Sequence, residues 1–100
     1  MSKIHELKIE RLKQNGEIVT SEKGNSMVPL IKSGQKHKLK YCEWEQCKVD
    51  DIVFCKVHGN YYTHKVYAKD SKKGLQIGNN KGYINGWTKN VYGVVIEVID

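Results

Sequence analysis

Ser26 stands in the stretch Gly24-Asn25-Ser26-Met27-Val28-Pro29-Leu30-Ile31, between a Gly-Asn pair and an apolar run that holds the only proline of the chain. A serine hydroxyl becomes a useful nucleophile when a rigid backbone exposes it and free main-chain N–H groups can hold an oxyanion. Gly24 permits a sharp bend, and Asn25 tolerates unusual dihedrals. Pro29 fixes the chain three residues on and drives Val28 towards an extended form. The partner such a serine needs is a base that is neutral near pH 7. His64, in Tyr61-Tyr62-Thr63-His64-Lys65-Val66, has the right chemistry. His64 and Lys65 face opposite ways on a strand, so only one of them can point at Ser26. A serine in a Gly-Asn turn and a histidine on a strand also have purely structural uses.

The elements that must position these residues are legible as a pattern. Residues 3–14 place Ile4, Leu7 and Leu12 on one stripe with Ile9 slightly off it, which predicts a short amphipathic helix with Ser2 as N-cap and a stop at Asn15-Gly16. Beyond Gly16 the periodicity changes. Glu17–Glu22 reads as a strand, Lys32-Ser33-Gly34 as a turn and Lys36–Tyr41 as a polar edge strand. Asp51–His58 is the clearest strand, rich in β-branched and aromatic residues, and Gly59-Asn60 signals a tight hairpin back into Tyr61–Ala68. After a turn at 70–74, Leu75-Gln76-Ile77 is short and apolar, Gly78–Trp87 reads as an irregular loop, and Val91–Ile99 closes the chain as a strand. The expected architecture is mainly β, a helix over 1–16 and a single β domain over 17–100.

One hundred residues suit one domain with a small core. The N-terminal stretch interleaves charge with apolar residues, unlike a signal peptide, and no apolar run approaches the ~20 residues of a membrane-spanning helix. No membrane anchor is expected, and the expected location is the cytoplasm. The net charge of +6 is spread along the chain, with concentrations at 36–40 and 69–73. Without a helix-turn-helix, zinc-finger or RNA-binding signature, this charge implies at most sequence-independent contact with nucleic acid. Cys42, Cys47 and Cys55 are expected to be reduced thiols. Together with His37 they could be a metal set, but no Cys-x-x-Cys pair is present and the spacing fits no common zinc module. No metal or cofactor is expected.

Taken in order, the segments Gly24–Ile31 with Gly34, Asp50–Lys56, His64-Lys65-Val66, Gly78-Asn79-Asn80 and Tyr92-Gly93-Val94-Val95 resemble the LexA-type and signal-peptidase superfamily of serine proteases. They look like its Ser-Met-x-Pro box and following glycine, its Gly-Asp-Ile-Val strand, its strand bearing the general base, its Gly-Asp-Asn loop and its closing Gly-x-Val strand. The resemblance spans roughly residues 17–98 and implies a curved, mostly antiparallel β fold. It also implies Ser26 as nucleophile, its N–H as an oxyanion donor, and Met27 and Pro29 as residues that position it. His64 matches the general base of the histidine branch, the signal peptidases of the endoplasmic reticulum and archaea; lysine serves in the other branches.

The chain also departs from that pattern. Asn79 occupies the aspartate position of the Gly-Asp-Asn loop, and a second family aspartate falls loosely near Asn85. Gly24 replaces the hydroxyl that many bacterial members carry two residues before the nucleophile. An asparagine can orient a histidine but cannot stabilise its cation. The family's membrane anchor, its N-terminal DNA-binding domain and the Ala-Gly or Cys-Gly self-cleavage pair have no counterpart, and that compact form resembles small proteins of phages and prophages. The expectation is a serine endopeptidase with a Ser26–His64 dyad and Asn79 as third member, acting on a protein or peptide. The alternatives are an impaired pseudoprotease of phage or prophage origin that binds a protein partner, and a basic nucleic-acid-binding domain.

Overall fold

The computed structural model describes residues 3–100. The N-cap assigned to Ser2 lies outside the described residues. Helix α1 (Lys3–Asn15) precedes the strands β1 (Glu17–Ser21), β2 (Lys36–Tyr41), β3 (Ile52–Val57), β4 (Asn60–Asp70), β5 (Gly74–Gly78), β6 (Ile84–Thr88) and β7 (Val91–Ile99). The fold is mainly β. The strands form one antiparallel sheet in the order β1-β2-β7-β3-β4-β5-β6, which is open, with β1 and β6 at its edges. Register shifts at Lys38/Leu39, Phe54/Cys55, Val66/Ala68 and Ile77/Gly78 are the irregularities that bend such a sheet.

Alternation along β3 divides the core. Val53, Cys55 and Val57 face one layer with Val66, Leu75 and Ile77, while Phe54 faces the other with Leu12 and Leu39. Helix α1 covers the second layer, and it does so with a different face from the one expected. His5, Lys8, Ile9 and Leu12 turn inward at helical spacing, whereas Ile4 and Leu7 are 74% and 51% exposed. The cause is electrostatic. Lys8 can be buried because its ammonium lies 3.0 Å from a Glu22 carboxylate oxygen and 4.6 Å from the centre of the Phe54 ring. That pairing fixes the rotation of the helix against the pull of Ile4 and Leu7. Gly93 then admits Leu12, since a Cβ there would meet the leucine at 3.2 Å and the Lys40 carbonyl at 3.1 Å.

Three other expectations change. Strand β2 is internal, held between β1 and β7, and it buries His37 and Leu39 despite its lysines. The β3–β4 hairpin turns at His58-Gly59, one residue earlier than Gly59-Asn60, with φ of 48° and 84° as a type I′ turn requires. The stretch expected as an irregular loop contains β6, which pairs with β5 although Asn85 and Gly86 are poor strand formers.

The cysteines are free and buried in one layer, with the Cys42 and Cys47 sulfurs 3.1 Å apart. Burial pushes the Cys55 thiol up to about 12. Iodoacetamide at neutral pH should therefore leave all three unmodified in the native protein and alkylate all three in guanidinium; rapid native labelling would refute the burial. Replacing Leu12 by alanine should cost about 3 kcal/mol, because it empties a fully buried site between two elements. Urea midpoints compare the two proteins, and an unchanged midpoint would show that α1 does not stabilise the sheet.

Candidate active site

The loop between β1 and β2 carries Ser26, and its base is closed by main chain and side chain together. The Gly34 N–H donates to the Glu22 carbonyl at 2.7 Å, and the Gly24 N–H donates to the Ser33 hydroxyl at 3.0 Å. Gly24 adopts φ +126°, a conformation that a side chain would strain. Met27 is buried beneath the bend and anchors it, while Pro29 is exposed and follows Val28 through a cis peptide bond. Ser26 itself is half-buried, and among the described residues its N–H has no hydrogen-bond acceptor.

His64 lies on β4 opposite Val53, with its ring stacked on Tyr62 at 4.7 Å between centroids. Its Nε2 is 3.1 Å from the Ser26 Oγ. Lys65 points the other way, to the Asp50 carboxylate at 3.6 Å. The strand thus presents the histidine and not the lysine to the serine. On the far side of the ring, Nδ1 is 2.7 Å from the Asn85 Oδ1 on β6. An amide oxygen can only accept, so Nδ1 carries the proton and donates it. The lone pair of Nε2 is then left to accept the Ser26 hydroxyl proton. Burial lowers the His64 pKa below its ordinary value, opposed by the Asn85 hydrogen bond and the charge of Glu22. The imidazole is therefore neutral at pH 7, the state a general base requires.

The residue hydrogen-bonded to the far side of the His64 ring is Asn85, and not Asn79 as expected. The Asn79 side chain is spent on its own loop, where Oδ1 accepts the N–H groups of Lys81 and Tyr83 at 2.8 and 3.0 Å. The Asn79 N–H donates to the Tyr83 carbonyl, and the Tyr67 hydroxyl donates to the Asn79 carbonyl. Asn79 shapes the turn that leads into β6, and so acts on the site through Asn85. Its neighbour Asn80 clamps the nucleophile loop directly, with its N–H on the Ser26 carbonyl at 2.8 Å and its side-chain amide on the Val28 carbonyl at 3.0 Å.

Three more residues beside Ser26 carried no motif. Glu22, Thr63 and His37 line a small cavity with Ser26 and Met27. The Glu22 Oε2 accepts from the Thr63 hydroxyl at 2.7 Å and from Lys8 at 3.0 Å. Burial alone would raise the Glu22 carboxyl, but Lys8 and the Thr63 hydrogen bond outweigh it and hold it below the ordinary range. The alternation that buries His37 with Leu39 on β2 was the available signal, masked by the flanking lysines. Among the described residues no three His, Cys, Asp or Glu side chains converge to hold a metal ion. No family model matches the sequence, and no curated protein matches it.

The two asparagines are separable by substitution. Asn85→Asp should raise the His64 pKa and accelerate modification of Ser26 by an active-site phosphonate, by about tenfold or more if the carboxylate stabilises the imidazolium. Asn79→Asp should do neither, because an aspartate can accept the same two backbone N–H groups. NMR titration of His64 and mass-spectrometric labelling rates give the comparison. The reverse pattern would return Asn79 to the histidine.

Proposed function

We propose that the chain is a serine endopeptidase-like hydrolase acting on a protein or peptide in the cytoplasm, with Ser26 as nucleophile and His64 as general base. The observation that carries this reading is the continuous alignment Ser26 Oγ, His64 Nε2, His64 Nδ1, Asn85 Oδ1, with separations of 3.1 and 2.7 Å. In the reaction, the Ser26 hydroxyl proton passes to Nε2 as Oγ attacks the carbonyl. The N–H of Ser26 receives the oxyanion, and the imidazolium returns its proton from Nε2 to the departing amine. Water then cleaves the acyl-enzyme with the same base. The Ser26–His64 pair is the one that the resemblance to the histidine branch of the LexA-type and signal-peptidase superfamily implies, with Asn85 where that branch would use a carboxylate. Among the described residues no helix is long and apolar enough to cross a membrane.

The neutral Asn85 sets the expected rate. Replacing a triad aspartate by asparagine can cost ~10⁴ in turnover when the wrong tautomer results. Here Oδ1 faces Nδ1–H, so the tautomer is the productive one and only the charge stabilisation is missing. The enzyme should be slow but competent. The same asparagine favours a second reading, a pseudoprotease of phage type that retains the fold and binds a protein partner. The basic charge gives the nucleic-acid reading less support, since Lys38, Lys48 and Lys65 each lie within 4.0 Å of a carboxylate.

A peptidyl phosphonate should modify Ser26 in the native protein and not in Ser26→Ala or His64→Ala. The labelling rate should fall on the acid side with a midpoint below 6.5, because burial lowers the histidine's pKa and only the neutral ring accepts the proton. Absence of an adduct at any pH, in protein that is folded by circular dichroism, would leave the binding-module reading.

A further inference from the structure

Outside the candidate active site, Cys42 and Cys47 bracket a single turn of 3₁₀ helix (Trp44–Gln46) in the connection from β2 to β3. Hydrogen bonds close that turn. The Gln46 N–H donates to the Glu43 carbonyl at 3.0 Å and the Cys47 N–H to the Trp44 carbonyl at 3.1 Å, while the Gln46 Oε1 accepts the Glu43 N–H at 3.0 Å. From β4, the Lys69 ammonium donates to the Glu45 and Cys47 carbonyls, both at 2.7 Å. This backbone brings the two cysteine side chains to one place. Their sulfurs are 3.1 Å apart, and they lie 3.3 and 3.5 Å from the Glu43 carbonyl oxygen. Both are buried free thiols. Cys55 shares their layer, but the close sulfur pair is Cys42 with Cys47. Among the described residues no third His, Cys, Asp or Glu joins them, and two sulfurs do not complete a metal site.

We propose that Cys42 and Cys47 form a redox site, a dithiol that a low-molecular-weight disulfide oxidises to a Cys42–Cys47 disulfide compatible with the native fold. A disulfide bond is about 2.05 Å long, so closing it asks each sulfur to move by only about half an ångström. The Glu43 carbonyl gives up its thiol donors but keeps the Gln46 N–H. In the exchange, the Cys42 sulfur attacks one sulfur of the oxidant as a thiolate and releases a small thiolate. The Cys47 sulfur, losing its proton, then attacks the Cys42 sulfur, displaces the second small thiolate and closes the bond. The protein gives up two electrons and two protons, and the oxidant leaves as two thiols. Cys42 is the entry point because it is 7% exposed against 1% for Cys47, whose thiol is held well above its ordinary pKa by burial. Both sulfurs are covered, so local opening of the connection sets the rate of exchange, and the closed geometry sets its equilibrium.

Neither Ser26 nor His64 takes part, so the redox site stands or falls apart from the hydrolase reading. The test equilibrates the full chain with mixtures of reduced and oxidised glutathione, once refolded in buffer and once in guanidinium, then quenches with acid, alkylates and digests with trypsin. Cleavage after lysine puts Cys42 and Cys47 together in Tyr41–Lys48 and Cys55 alone in Val49–Lys56. At one glutathione ratio, the 41–48 peptide should be recovered two hydrogens lighter and unalkylated, and the 49–56 peptide alkylated. The ratio of disulfide to dithiol should be about tenfold or more higher in the folded protein than in guanidinium, because the fold holds the sulfurs together. The same factor requires a higher urea midpoint for the oxidised protein than for the reduced one. Cys55→Ala should form the disulfide as the parent does. A ratio no higher in the folded protein, a lower urea midpoint on oxidation, or a main product that involves Cys55 or retains glutathione would overturn the site.

Discussion

The Glu22 carboxylate is the point on which the rest of the structure turns. Its Oε2 binds Lys8 of α1 and Thr63 of β4, while the main-chain carbonyl of the same residue closes the loop that carries Ser26. One residue, just past the end of β1, thus ties the helix to the sheet, ties its own segment to a strand far from β1 in the sheet order, and fixes the base of the Ser26 loop. The pair with Lys8 is partly buried, with side-chain exposures of 9% for the lysine and 33% for the glutamate. A buried lysine without its partner is expensive, so the interaction matters less for net stability than for specifying one arrangement. The rotation of α1 follows from it, since the helix turns Lys8 inward and leaves Ile4 and Leu7 outside.

The opposite end of the nucleophile loop is held by a run of asparagines with divided tasks. Asn79 folds the turn after β5, Asn80 grips the carbonyls of Ser26 and Val28, and Asn85 holds the histidine ring. All three lie within one connection and its strand, so the position of the serine and the position of the ring are set by the same piece of chain. Any displacement of the turn moves the nucleophile and the orienting group together. Rigid coupling of this kind suits a site whose reacting atoms must stay within hydrogen-bond reach.

The sequence made the strands visible where side-chain type and alternation agree, as in β3, β4 and β7. It concealed them where local propensity opposes the tertiary outcome. Lysines at alternate positions disguised β2 as an edge, though His37 and Leu39 between them are buried by β1 and β7. Glycine and asparagine disguised β6, and with it the ligand of His64. Ser26 and His64 were legible as candidates because each has a distinctive reactive group in a distinctive local setting. Their pairing was legible from the order of motifs. The residue beyond His64 was legible only loosely, through a family aspartate that falls near Asn85, because the hydrogen bond that the ring donates to that amide depends on register across β5 and β6, where a bulge at Ile77/Gly78 shifts the count by one. Glu22 and His37 belong to no motif, and their importance comes from burial, which only the folded chain defines.

His64 is a buried imidazole whose ring donates to a neutral amide rather than to a carboxylate. Desolvation lowers the histidine's pKa, and Asn85 and Glu22 oppose it without cancelling it. The ring therefore stays neutral to a lower pH than an ordinary histidine would. The same desolvation makes the imidazolium harder to form once it has taken the serine proton. Availability and proton affinity are thus exchanged for one another. The Glu22 charge acts on the ring in the direction of a higher pKa, and Lys8 engages that carboxylate through a direct ion pair. The helix that looks peripheral in the fold consequently sets part of the field at the His64 ring, and the electrostatics there cannot be separated from the docking of α1.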